Sequence, residues 1–214
     1  MIGGTRLKIC GITLAKDAHL AAELDADFIG FILFPKSPRY LALADYEVLQ
    51  ANLPAGPRRV AVMVEPSAAE LATALAAGFD FFQIHARADL ELPTVAAWTA
   101  AVGPARLWLA AKLPPGTAFP ANWLSLADTF LVDTFHAEGF GGSGRTGDWS
   151  GFAKLAAAHP EKTWILAGGL SPDNIVAARG GSGAIFLDVN SGVEIAPGIK
   201  SPEKLRALVS ALGA

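Results

Sequence analysis

The chain is poor in sulfur: its 214 residues include one cysteine, Cys10, and two methionines. A lone cysteine excludes an intramolecular disulfide and fits a reducing compartment. No cysteine–histidine spacing of the zinc-binding kind occurs, and the acidic residues are too scattered to form a metal motif, so no metal is expected. Charge of one sign is nowhere concentrated. The formal net charge is -3, and without a like-charged block neither a nucleic acid nor a membrane surface is an expected partner. The stretch MIGGTRLKICGIT has no apolar core of signal-peptide length. The uncharged run at 113–127 is broken by Pro114, Pro115 and Pro120, which excludes a membrane-spanning helix there. These absences point to a cytoplasmic protein.

What the chain has in quantity is short apolar runs. Hydrophobic residues make up 52% of it, an excess expected of parallel strands buried on both faces. Such runs, bounded by Gly, Pro or polar residues, predict strands at 7–10, 28–33, 60–64, 81–85, 107–112, 130–133, 164–167 and 184–189. Their midpoints recur roughly every 25 residues, enough for one strand, one helix and two short loops. Alanine-rich helices are expected at 15–24 and 71–77, and a less regular one near 92–101. Ser67 and Glu70 have capping-box spacing. Ser201-Pro202 opens a helix whose Leu205, Leu208, Val209 and Leu212 share a face, and Ser171-Pro172 repeats the signal. No linker divides the chain. Strand–helix alternation permits a closed barrel or a doubly wound sheet. Eight repeats, and the lack of G-x-G-x-x-G after the first strand, favour one (β/α)8 barrel domain over 1–214.

In such barrels chemistry occurs at the C-terminal strand ends. The residues there are Lys8 and Cys10, Arg39 in the following loop, Gln83 and His85, Lys112, Asp133, the glycines after Ala167, and Asp188. Two readings fit Cys10: a buried apolar cysteine, or a thiolate base or nucleophile whose pKa a nearby charge lowers. Lys8, two residues upstream, shares its side of the strand. Asp133 ends Phe-Leu-Val-Asp, either capping the next loop or serving as a general acid raised by its apolar setting.

Glycine-rich stretches follow strands six, seven and eight: Gly141-Gly142-Ser143-Gly144, Gly168-Gly169 and Ser191-Gly192. Ordinary turns would use glycine too. Loops after strands seven and eight, however, often bind phosphate through backbone N–H groups and a helix N-terminus. Arg39 sits in a loop stiffened by two prolines and is either solvated or a two-toothed grip on a carboxylate. Gln83 and His85 share one side of strand four.

Several motifs carry a resemblance. They are Lys-Ile-Cys-Gly-Ile-Thr at 8–13, Gly-Phe-Ile-Leu-Phe-Pro-Lys-Ser-Pro-Arg-Tyr at 30–40, Gln-Ile-His at 83–85 and Asp133-Thr134. Further along come Gly-Gly-Ser-Gly-Arg-Thr at 141–146 with Asp148-Trp149, Ala-Gly-Gly-Leu at 167–170, Asp-Val-Asn-Ser-Gly-Val-Glu at 188–194 and Pro-Gly-Ile-Lys at 197–200. In this order, over nearly the whole chain, they resemble the phosphoribosylanthranilate isomerase family. The resemblance implies an Amadori rearrangement in tryptophan biosynthesis with a small phosphoribosyl substrate and no cofactor. It implies Asp133 as general acid and Cys10 as general base. It further implies Arg39 on the anthranilate carboxylate and phosphate against Gly142, Gly144, Gly168, Gly169, Ser191 and Gly192. Asp188 would contact or orient the substrate, with Lys8, Gln83 and His85 lining the pocket.

Three positions depart from the family pattern: Met63 in Val-Met-Val-Glu-Pro, Ala86 and Phe135. They are expected to tune the pocket or its rigidity. The nearest alternative is the related barrel isomerase of histidine biosynthesis, which would use an aspartate where Cys10 stands. A non-catalytic phosphosugar-binding barrel would need neither Cys10 nor Asp133. Monomer and homodimer are both compatible with the chain.

Overall fold

The computed structural model describes residues 1–113, 117–133 and 147–213. Eight parallel strands close into a barrel in chain order: β1 (Arg6–Ile9), β2 (Phe28–Ile32), β3 (Arg58–Val64), β4 (Phe81–Arg87), β5 (Leu107–Lys112), β6 (Thr129–Asp133), β7 (Thr163–Ala167) and β8 (Phe186–Val189). Outside them lie α1 (Ala15–Glu23), α2 (Leu43–Leu49), α3 (Ala68–Ala76), α4 (Leu92–Val102), α5 (Trp149–Ala158), α6 (Ile175–Ser182) and α7 (Pro202–Gly213). A short antiparallel hairpin, β9 (Glu194–Ala196) and β10 (Ile199–Lys200), stands between β8 and α7. Among the described residues no helix is long and apolar enough to cross a membrane.

Every expected strand forms, because each apolar run is buried on both faces. Alternate side chains enter the barrel. Cys10, Phe28, Val60, Val62, Trp108, Ala110, Leu131, Ile165, Ala167 and Phe186 pack into one interior cluster. Its floor is aromatic: the Phe28 ring lies 5.0 Å from Phe186 and 5.1 Å from Trp108, and the Arg6 guanidinium is 4.5 Å from the Phe186 centroid. Each ring pair adds about 0.5–1.5 kcal/mol beyond its buried area. The intervening residues, among them Leu7, Ile9, Ile29, Phe31 and Ile84, pack against the helices in a second, larger core. Met63 and Ala86 belong to that outer core. Phe135 lies outside the described residues.

Helix starts follow local chemistry. The Ser67 side chain accepts from Glu70 N while Glu70 reaches back to Ser67 N, the capping box that the spacing predicted. The Ser201 hydroxyl accepts from Lys204 N and caps α7. Pro93 sits in the first turn of α4, where no N–H is needed. Two expectations are corrected. Residues 172–174 form a turn, and α6 begins at Ile175. Asn174 explains the delay: its side chain accepts from Ser171 N at 2.9 Å and donates to Gly169 O at 3.0 Å, tying down the loop instead of continuing a helix. Strand–helix alternation also fails once. The described residues between β5 and β6 hold a single 3-10 turn, Ala121–Trp123. Pro120 precedes that turn, and the fully buried Trp123 indole fills the space a helix would cover.

Candidate active site

The register lines up four interior residues across neighbouring strands. Lys8 pairs with Asp188. Ala167 lies one position beyond the Leu166–Leu187 pairing, so it stands next to Asp188, and it pairs in turn with Asp133. Cys10 is one inward position further along β1, where the strand ends. The alternation that fills the barrel therefore brings Lys8, Cys10, Asp188 and Asp133 to one end of its lumen, with a methyl group at Ala167 leaving room between the acids. Asp133 is exposed at that mouth.

Lys8 is fully buried, and its Nζ lies 3.0 and 2.9 Å from the two Asp188 carboxylate oxygens. Burial pulls the ammonium down, but Asp188 and Cys10 more than offset it, so Lys8 is held above the usual lysine range and stays charged. Burial pushes the Asp188 carboxyl up, against the pull of Lys8 and Lys200. Both Asp188 oxygens are committed to Lys8, which makes it a brace within the site.

Cys10 is 4% exposed. Burial pushes its thiol up, and Asp188 adds to that; Lys8 and Lys200 act in the other direction without prevailing. Lys8 stands beside the sulfur as the strand spacing implied, yet it does not hold a thiolate. The resting group is a thiol, so of the two readings of Cys10 the buried cysteine describes its resting state and the lowered pKa does not.

Gly30 on β2 makes this arrangement sterically feasible. A Cβ there would sit 2.9 Å from Lys8 Cε, 3.0 Å from Cys10 Sγ and 3.1 Å from Lys8 Nζ. Gly30→Ala is expected to displace both groups, lowering kcat about tenfold or more at a stability cost of about 1–3 kcal/mol, typical of overpacking. Steady-state kinetics with a denaturation curve would check this, and an unaltered kcat would remove Gly30 from the account.

On β4, Gln83 Nε2 lies 2.7 Å from His85 Nε2. Burial, aided by the positive charge of Lys8, pulls His85 down to about 4. The imidazole is thus neutral near neutral pH, a hydrogen-bonding group and not a cation. The Gln83 Oε1 atom is buried with no hydrogen-bond partner among the described residues.

Arg39 is held from the side by Glu194. Its Nε lies 2.9 and 3.0 Å from the two carboxylate oxygens, and its Nη2 lies 2.7 Å from Oε2. Glu194 also accepts from Lys200 Nζ at 2.9 Å and from Gly198 N at 3.1 Å. Lys200 Nζ donates in addition to Asn190 Oδ1 at 3.0 Å. At Gly11, with φ of 72°, a Cβ would strike Asn190 Oδ1 and Arg39 Cδ, at 2.6 and 2.9 Å. The Arg39 stem thus lies against the loop that follows Cys10.

The glycine loops meet as backbone. A Cβ at Gly192 would collide with the Leu170 carbonyl oxygen, and Gly168 and Gly169 have φ of 104° and 61°. The loops after β7 and β8 therefore approach more closely than side chains would permit. Gly142 and Gly144 lie outside the described residues. Sequence reasoning singled out neither Gly30, Asn190, Glu194 nor Lys200. All four fall within motifs already quoted, but nothing local marks them as partners.

Comparison with known proteins follows the same lines. A family model described as N-(5'phosphoribosyl)anthranilate (PRA) isomerase matches residues 7–211. The N-(5'-phosphoribosyl)anthranilate isomerase of Synechococcus elongatus is 36% identical over 98% of this chain and 96% of its own. The crystal structure of TrpF from Jonesia denitrificans superposes with a TM-score of 0.79 at 34% identity, covering 97% of this chain and 96% of that one. A phosphoribosyl anthranilate isomerase in complex with reduced 1-(o-carboxyphenylamino)-1-deoxyribulose 5-phosphate matches with a TM-score of 0.73 at 26% identity, over 97% of this chain and 98% of that one.

Proposed function

This chain belongs to the N-(5'-phosphoribosyl)anthranilate isomerase family, and we propose that it performs the family's reaction with Cys10 as general base and Asp133 as general acid. It is an aldose–ketose isomerase of tryptophan biosynthesis: N-(5-phosphoribosyl)anthranilate becomes 1-(2-carboxyphenylamino)-1-deoxyribulose 5-phosphate. The rearrangement moves one proton on and another off the sugar, so it needs a donor and an acceptor at different atoms. Asp133 protonates the furanose ring oxygen as the C1′–O bond breaks, and the nitrogen lone pair forms a protonated imine. Cys10, in its thiolate form, the minor one at neutral pH, then takes the C2′ proton and becomes a thiol. The C–H electrons flow toward the iminium nitrogen to give an enolamine, which tautomerises to the ketone. The imine is the electron sink.

One observation carries this reading. Cys10 and Asp133, on strands three steps apart around the sheet, fall at inward register positions at the same mouth as the Lys8–Asp188 pair, which supports the two proton-transfer roles. At about 4.8 Å per strand this places them on different sides of a sugar-sized space. The substrate phosphate would rest on the backbone of the Gly168-Gly169 and Ser191-Gly192 loops, whose close approach supports it. Arg39 would take the anthranilate carboxylate. Gln83 and His85 would meet the sugar as neutral hydrogen-bonding groups.

The test is turnover of N-(5-phosphoribosyl)anthranilate by purified protein, followed by chromatography of the ketose product, with the histidine-pathway aminoaldose as a parallel substrate. Binding without product would leave a phosphosugar-binding barrel. Asp133→Asn keeps the shape and removes the transferable proton. Its kcat is expected to fall about 100-fold or more, with product-analogue affinity retained; a near-normal kcat would remove Asp133 from the acid role.

A further inference from the structure

Arg39 has two edges on which a carboxylate can dock, and the structure has already filled one. The Nε/Nη2 edge faces Glu194, whose side chain is 4% exposed, while Arg39 itself is 18% exposed. Nη1, at the end of the guanidinium, has no hydrogen-bond partner among the described residues. Glu194 is in turn fixed from behind by the fully buried Lys200 ammonium and the Gly198 amide. Burial alone would push the Glu194 carboxyl up, but hydrogen bonds from Arg39 and Lys200 hold it below the usual range, so it stays ionised. The supports of the whole cluster are rigid: Lys200 N donates to the buried Asp17 carboxylate, and the Thr13 hydroxyl ties Gly198 O to the loop after β1.

We infer that Glu194 is a positioning residue: it holds Arg39 side-on so that the terminal fork of the guanidinium meets the substrate carboxylate. A free arginine side chain samples many rotamers, and freezing it on binding costs affinity. A guanidinium already locked along one edge loses little when its other edge is used. The inference rests on the reading of Arg39 as the carboxylate-binding group, and the experiment separates the two.

Glu194→Gln keeps the size of the side chain and removes its charge. Two ligands are titrated calorimetrically: the reduced product analogue carrying the anthranilate carboxylate, and its anilino counterpart lacking it. Glu194→Gln is expected to lose about tenfold or more in affinity for the carboxylated ligand and little for the anilino one, with KM raised far more than kcat is lowered. Arg39→Ala should show the same selectivity, and the double variant should be no worse than Arg39→Ala alone. Glu194→Asp, which keeps the charge, should recover part of the loss. Wild-type affinity in Glu194→Gln, or additive losses in the double variant, would overturn the inference while leaving Arg39 in place. Equal losses for both ligands in both Glu194 variants, with a lowered melting temperature, would mark a structural role and overturn it too. If Arg39→Ala treats the two ligands alike, the underlying reading of Arg39 fails instead.

Discussion

Cys10→Ala is expected to lower kcat/KM by about 100- to 10,000-fold, the usual share of a positioned general base. The loss should fall on kcat, because the Cys10 thiolate takes the C2′ proton and does not anchor the substrate. Affinity for the reduced product analogue should stay within a few-fold of the parent. Cys10→Ser tests the chemistry more sharply. A hydroxyl fits the space beside Gly30, but it cannot ionise in the accessible pH range and should not restore turnover. Rapid-quench measurement of a single turnover distinguishes a lost chemical step from slowed product release. A serine variant working at near-normal rate would mean that another group takes the proton.

The second large effect concerns stability. Lys8→Met removes the partner of a buried carboxylate that has both oxygens committed to it. Breaking such a pair leaves an uncompensated charge and costs about 3–5 kcal/mol. Lys8→Met with Asp188→Leu removes both charges, and most of that stability should return, since an apolar pair of similar volume is often neutral or better. Urea denaturation of the two variants gives the comparison directly. A single variant as stable as the parent would show that the pair is not the brace described here. The sign of the pH dependence follows from the direction of the shifts. Lys8 and Cys10 both titrate above their ordinary values, so their contribution is fully present at neutral pH and is lost as the pH rises through the alkaline range. Neither double nor single variant should be active, because Lys8 lies against the sulfur.

The barrel was legible because its strands are buried on both faces. Leu107–Ala111 reads as an uninterrupted apolar run ended by Lys112, and β5 spans Leu107–Lys112. The ring of polar residues at strand ends was equally plain, since each breaks an apolar run at a position that alternation sends inward. Less visible were the interactions that depend on distance along the chain. Arg39 and Glu194 are 155 residues apart, and no local signal links them. Gly30 was hidden for another reason: within Phe-Ile-Gly-Phe-Ile it reads as a weak point of a strand, and only the packed barrel shows the two side chains above it. The fifth connection misled because strand–helix alternation is a tendency of the fold, whereas Pro120 and Trp123 decide that segment locally. The direction of the Cys10 shift was not legible either. Strand spacing places Lys8 next to the sulfur but says nothing of how deeply both are buried, and desolvation outweighs attraction here.

Because the chain has a single cysteine, labelling with [13Cβ]cysteine gives one resonance, and its pH titration reports the Cys10 thiol without ambiguity. Measured beside the pH profile of kcat/KM, which reads the ionisation of essential groups in the free enzyme, it tests whether that sulfur is the base. The account predicts a titration above the ordinary thiol range and an activity limb that rises with pH at the same midpoint. A resonance already in the thiolate form at neutral pH, or a kcat/KM that stays level while the thiol ionises, would contradict it.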